Sequence, residues 1–203
     1  MQIISNDCFG SFLIKKLNLP FENPFVWVRI PLKDFTNLIN LFPNLNYDDV
    51  EISLNRDYKK EFKLWPCDAL SPVITCNSIR FFFNHYKYNA NDKTPRKQIP
   101  DVFYYRNYEY ALEKWNERSK RITNEKPIII LHHNDLQNDK NVEVYKIINE
   151  CKEKDYKLIV ISNLPIKSEE KMLSIYCSDV SNLGVKDCVD RYFNQIKSFI
   201  NEQ

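Results

Sequence analysis

The chain has 203 residues, 43% hydrophobic and 14% aromatic, and its 29 Lys and Arg against 27 Asp and Glu give a formal net charge of +2. Interspersed charges of both signs argue against nucleic acid as the main ligand. A mean hydropathy of -0.50, with no apolar run near ~18 residues, excludes a membrane-crossing helix.

Ile3 to Ser5 reads as a first strand, Asn6-Asp7-Cys8 as a turn, and Ser11 to Leu17 as a short helix ending before Pro20. Phe25 to Ile30 is strand-like, Leu32 to Leu41 has helical spacing, and Val50 to Leu54 and Ile79 to Phe83 are further strands. Residues 87–107 read as a loop insertion, polar from Asn89 to Pro100. Tyr108 to Ile122 is an amphipathic helix, Pro127 to Leu131 a buried strand, Val142 to Lys154 a helix, and Lys157 to Ser162 another buried strand. Ile175 to Cys177 is a short strand, and Val185 to Asn201 a helix with Val189, Tyr192, Phe193, Ile196 and Ile200 on one face. Continuous apolar strands alternating with helices give an α/β class: a three-layer sandwich with a mostly parallel, Rossmann-like sheet in a single domain, residues 1–203. Ligands of such sheets bind beyond the carboxyl ends of the strands. Cys8 follows one strand there, and His132, His133, Asn134 and Asp135 follow another.

The only two glycines are Gly10 and Gly184, so a glycine-rich phosphate loop cannot form. None of the six cysteines forms a C-x-x-C pair, which removes zinc-ribbon and thioredoxin readings. No basic segment followed by an apolar stretch opens the chain, so reduced thiols and a cytoplasmic location are expected.

Cys8 at the start of a helix meets unpaired backbone N–H groups and the positive end of the helix dipole, both of which favour thiolate. A nucleophilic cysteine needs a base and a group to orient it. His85, His132 and His133 are the only histidines, and Asp135 lies close behind the second and third. On an extended segment His132 and His133 face opposite ways, so one of them enters a site. Arg118 and Arg121, at i, i+3 on the helix carrying Trp115, share a face suited to carboxylate or phosphate. Against each of these stands a plainer role: Cys8 as a core residue, the arginines as partners of Glu113 and Glu117, and most aromatics as packing.

Ile4-Ser5-Asn6-Asp7-Cys8-Phe9-Gly10, the segment Leu17 to Pro20, and Asn23-Pro24-Phe25-Val26 together resemble the opening of the DUF1919 family. Ile79 to Tyr86 and the Trp-Arg-Arg-Ile pattern within Tyr110 to Ile122 extend the likeness. The pair His132-His133 is not part of it. The resemblance implies a bacterial capsule or exopolysaccharide biosynthesis protein acting on an activated or polymeric sugar. The family's chemistry is unknown, and the activity expected for this chain is that of a transferase or a cysteine-dependent hydrolase. The resemblance points to Cys8 as nucleophile, His85 as base and Asp135 as the orienting acid; His133, from its place after the Pro127 to Leu131 strand, is the alternative base. Asn6 is expected to stabilise developing negative charge, with Asp7, Trp115, Arg118 and Arg121 at the substrate. No metal or other cofactor is expected. The expected partners are the sugar precursor and, peripherally, polysaccharide assembly machinery. A papain-like hydrolase, a non-covalent glycosyltransferase using Asp135 and the arginines, and a non-catalytic carbohydrate-binding subunit are the alternatives.

Overall fold

The computed structural model describes residues 1–54, 72–83, 101–133, 138–180 and 183–202. Four strands run parallel in one sheet: β1 (Ile3–Ser5), β6 (Ile128–His133), β7 (Lys157–Ser162) and β8 (Met172–Tyr176), in the order β1-β6-β7-β8. Alternation along these strands sends Ile3, Ile128, Ile130, Ile159 and Ile161 to one face. There they pack with α1 (Phe9–Lys16) and α5 (Val185–Asn201). Ile4, Ile129, Leu131, Leu158 and Val160 go to the other face, against α4 (Asn138–Glu153). Both faces are covered, which is why the strands read as continuous apolar runs.

The remaining strands form a second sheet, not an extension of the first. It joins β2 (Val28–Arg29), β3 (Val50–Leu54), β4 (Pro72–Cys76) and β5 (Ile79–Phe83), antiparallel throughout, in the order β2-β5-β4-β3. A parallel pair needs a long crossover. Only Asn77-Ser78 separates β4 from β5, and both residues hold positive φ, 50° and 62°, as a two-residue hairpin turn requires. The expected strand from Phe25 to Ile30 shortens to two residues because Trp27 takes φ 62° and breaks the extended run. Helices α2 (Leu32–Leu41) and α3 (Asp101–Ser119) pack on this sheet, and α2 also meets α4, so one apolar core runs from the second sheet to a face of the first. Helix α3 starts ahead of the expected Tyr108 and takes in residues 101–107 of the presumed insertion; residues 87–100 lie outside the described residues. No helix among the described residues is long and apolar enough to cross a membrane.

A hydrogen bond joins the sheets where they meet. The Ile30 N–H, just past β2, donates to the Asn6 carbonyl, just past β1, at 2.8 Å.

Candidate functional site

The chain leaves β1 at Asn6, and the side chain of Asn6 takes over where the backbone ladder stops. Its Nδ2 donates to the His132 carbonyl at 2.9 Å and its Oδ1 accepts the His132 N–H at 2.8 Å. The amide therefore extends the β1–β6 pairing by one residue and locks the turn onto the end of β6. Asp7 follows. Its Oδ1 accepts the Phe9 N–H at 2.8 Å, which starts α1 with one of its orphan donors satisfied. Cys8 is the N-cap residue of α1 and is buried, with its carbonyl accepting the Phe12 N–H at 3.1 Å. Gly10 lets the helix sit this close to the strand: a Cβ on it would lie 2.8 Å from the Ser5 Cβ.

The other Asp7 oxygen, Oδ2, lies 2.6 Å from His132 Nδ1. Parity along β6 explains why this histidine and not its neighbour arrives there. His132 shares a face with Ile128 and Ile130, which look toward α1 and α5, whereas His133 shares the face of Ile129 and Leu131. The ring of Phe9 lies against the imidazole, with centroids 5.4 Å apart. The His132 side chain is 2% exposed and that of Asp7 18%, so only the carboxylate reaches the surface.

Burial alone would lower the pKa of His132, but the Asp7 charge and hydrogen bond outweigh it, the Cys188 thiol adds to them, and the imidazole is pushed up to about 10. Burial would likewise raise Asp7. The His132 charge and hydrogen bond, the Phe9 N–H and the Arg29 charge instead hold it below the usual carboxylate value. At neutral pH the pair is an imidazolium and a carboxylate. Nδ1 is fixed by Asp7, and Nε2 is buried with no well-formed hydrogen bond among the described residues, although the sulfur of Cys188, in the first turns of α5, is near enough to act on the ring. A buried donor without an acceptor is rare in a settled core. A carboxylate on one imidazole nitrogen, with the other turned to a second partner, is the arrangement that transfers protons in acid–base catalysis.

The sequence-derived candidates fall differently. Cys8 and Asp7 lie in this turn, and Asp7 is the carboxylate that orients the histidine, a role expected of Asp135. Asn6 is engaged with the backbone of His132. His133 is buried at the end of β6 on the opposite parity. His85 and Asp135 lie outside the described residues. Trp115 is 0% exposed, packs against Phe25 and Phe81, and donates from Nε1 to the Tyr47 carbonyl at 2.9 Å, so it offers no face to a sugar. Arg118 Nη1 donates to the Val26 carbonyl at 3.3 Å with its guanidinium over Phe21, and Arg121 Nη1 donates to the Phe21 carbonyl at 3.0 Å while Nη2 pairs with Glu117. Both arginines strap α3 to the 21–26 segment. Asn23, within that segment, is bonded to the Ile3 carbonyl at the start of β1, away from the turn. His132 was visible as a candidate but not preferred. Arg29 and Cys188 were missed; neither belongs to a motif, and only the fold brings them near.

Cys8, Cys76, Cys151, Cys177 and Cys188 are all buried, and none forms a disulfide. Among the described residues no three or more His, Cys, Asp or Glu side chains are grouped to hold a metal ion.

Residues 1–99 match the DUF1919 family, a domain of unknown function. The likeness read from the opening motif therefore holds across the first half of the chain. The DUF1919 match contains Asn6, Asp7, Cys8, Gly10 and Arg29; His132 and Cys188 come from beyond it. No curated protein matches the chain.

Proposed function

We propose that this protein is a cysteine-dependent enzyme of capsule or exopolysaccharide assembly, a transferase or hydrolase acting on an activated or polymeric sugar. Cys8 is the nucleophile, His132 its acid–base partner, and Asp7 the group that orients and charges the imidazole. The observation that carries the reading is the Asp7–His132 pair at 2.6 Å, built into the turn that bears Cys8, with Nε2 buried and without a well-formed hydrogen bond among the described residues. The sugar class rests on the resemblance of the opening motif. A cytoplasmic setting agrees with five buried cysteines outside disulfides. Peripheral contact with assembly machinery belongs to the same proposal. The non-covalent alternative has less support, because the arginines it needs as a clamp are bonded to backbone carbonyls.

In the reaction the Cys8 thiolate attacks an acyl or anomeric carbon, and the bond from that carbon to the leaving oxygen breaks. His132 gives its Nε2 proton to that oxygen. The now neutral imidazole, made strongly basic by Asp7, takes the proton of water or of an acceptor hydroxyl. That oxygen attacks the same carbon, the carbon–sulfur bond breaks, and the thiolate and imidazolium are restored. The test is alkylation of the folded protein with iodoacetamide at neutral pH, with modified residues mapped by mass spectrometry, beside turnover of a capsule precursor. Cys8 should label fastest among the cysteines, His132→Gln should slow the labelling, and Cys8→Ala should abolish turnover. Full turnover by Cys8→Ala ends the covalent proposal.

A further inference from the structure

Arg29 stands out as an exposed cation that makes no ion pair or hydrogen bond among the described residues. Its neighbours Val28 and Ile30 point into the core and Arg29 points out. The other arginines of the described core elements differ: Arg80 pairs with Asp34, Arg118 and Arg121 bind carbonyls, and Arg191 pairs with Asp179. Arg29 is also tied to the turn. The residue after it donates from its backbone to Asn6, the residue before Asp7, and the Arg29 charge acts on the Asp7 carboxylate. Asp7 is already balanced by the His132 imidazolium, so Arg29 adds an excess positive charge beside the only solvent-exposed member of that pair.

We propose that Arg29 forms an anion subsite beside Asp7, holding a phosphoryl or carboxylate oxygen of the substrate next to Cys8. The planar guanidinium donates a bidentate pair to either group. The subsite rests on the reading of this turn as the reaction centre and narrows its substrate to a charged sugar, either one activated through a phosphate or one carrying a uronic-acid carboxylate. It moves the anion-holding role from Arg118 and Arg121, where sequence spacing puts it, to a residue on the antiparallel sheet.

The test titrates inorganic phosphate and, separately, glucuronate into isotope-labelled full-length protein and follows the backbone amides of Asp7, Cys8, Phe9 and Arg29 by NMR. Saturable shifts of these amides are expected with at least one anion. Arg29→Gln should weaken that binding about tenfold or more, and Arg29→Lys should weaken it less, because the charge remains while the bidentate geometry is lost. Arg121→Gln should leave it unchanged. Response to phosphate alone assigns a phosphoryl group, response to glucuronate alone assigns a carboxylate, and response to both assigns a site for anionic oxygens of either kind. No response to either anion, or binding indifferent to Arg29→Gln, overturns the subsite. Because Arg29 is exposed, its variants should fold, which circular dichroism checks. Iodoacetamide labelling in parallel separates the two proposals. An inert Cys8 with Arg29-dependent anion binding removes the nucleophile and keeps the subsite; a reactive Cys8 with anion-indifferent Arg29 does the reverse.

Discussion

Replacing Asp7 by Asn removes a charge with almost no change of shape, so its effect reads the ion pair directly. In the native protein His132 is raised from 6.5 to about 10. At about 1.4 kcal/mol for each pH unit, that rise corresponds to about 5 kcal/mol of preference for the charged imidazole in the fold. The sign follows from the direction. A raised histidine stabilises the fold fully below its unfolded value of 6.5, and the contribution declines as pH rises through 6.5 and is gone beyond about 10. Asp7, lowered from 3.8, contributes above that value and loses its contribution as pH falls through its lowered folded value. The two windows overlap between about pH 4 and 6.5. At pH 7 roughly 4 kcal/mol remains, within the range of about 3–5 kcal/mol for breaking a buried pair from one side. Asp7→Asn should therefore lower the unfolding free energy most near pH 5 to 6, and the gap to native protein should close toward pH 10. Without the carboxylate, burial takes over and His132 should titrate below 6.5. Urea unfolding across pH 5 to 10, with an NMR titration of the His132 ring, measures both. A pH-independent gap, or a His132 that titrates near 6.5 in native protein, would refute the reasoning.

Gly10→Ala sets two effects against each other. Alanine favours the helix by about 1 kcal/mol, but its Cβ would sit 2.8 Å from the Ser5 Cβ, and such overpacking costs about 1–3 kcal/mol. The clash is with an atom fixed to the backbone, so it should win: Gly10→Ala should melt lower than native protein, and adding Ser5→Gly should restore much of the loss. An unchanged melting temperature would show that α1 is not pressed on β1 at this point. Trp115→Ala should cost about 3–5 kcal/mol in urea unfolding, as for any fully buried large aromatic. Trp115→Phe should fold and leave Cys8 alkylation at the native rate; a large change in that rate would return the indole to the site.

Much of the parallel half was legible because period and burial agree there. Ile128–His133 and Lys157–Ser162 are buried on both faces, and their apolar runs say so without help from pairing. The antiparallel half was less legible. Pro72–Cys76 opens on proline, a weak strand signal, and β2 keeps two residues of an apolar stretch because Trp27 adopts a left-handed conformation that nothing in its side chain advertises. At the candidate site, the place of Cys8 at a helix start was legible. The histidine that pairs with Asp7 was half legible: adjacency says that only one of His132 and His133 turns to a given face. Choosing between them needs to know that Ile128 and Ile130 face α1. That parity is carried by the register of β1 on β6, Ser5 opposite Ile130, which no local pattern contains. The partners of Arg118 and Arg121 were illegible for a related reason. Helical spacing places two side chains together, but where their face points is decided by packing against the 21–26 segment.

The Asn6 amide reaches across 126 positions of sequence to grip the backbone of His132. It follows that a fragment cut at residue 99, the limit of the family match, would keep the aspartate and cysteine but lose the strand that β1 lies against and the imidazole that the carboxylate pairs with. The family match stops inside the folding unit. A gene trimmed to that border should yield a chain with an unpartnered, sticky β1 rather than a smaller working version of this protein.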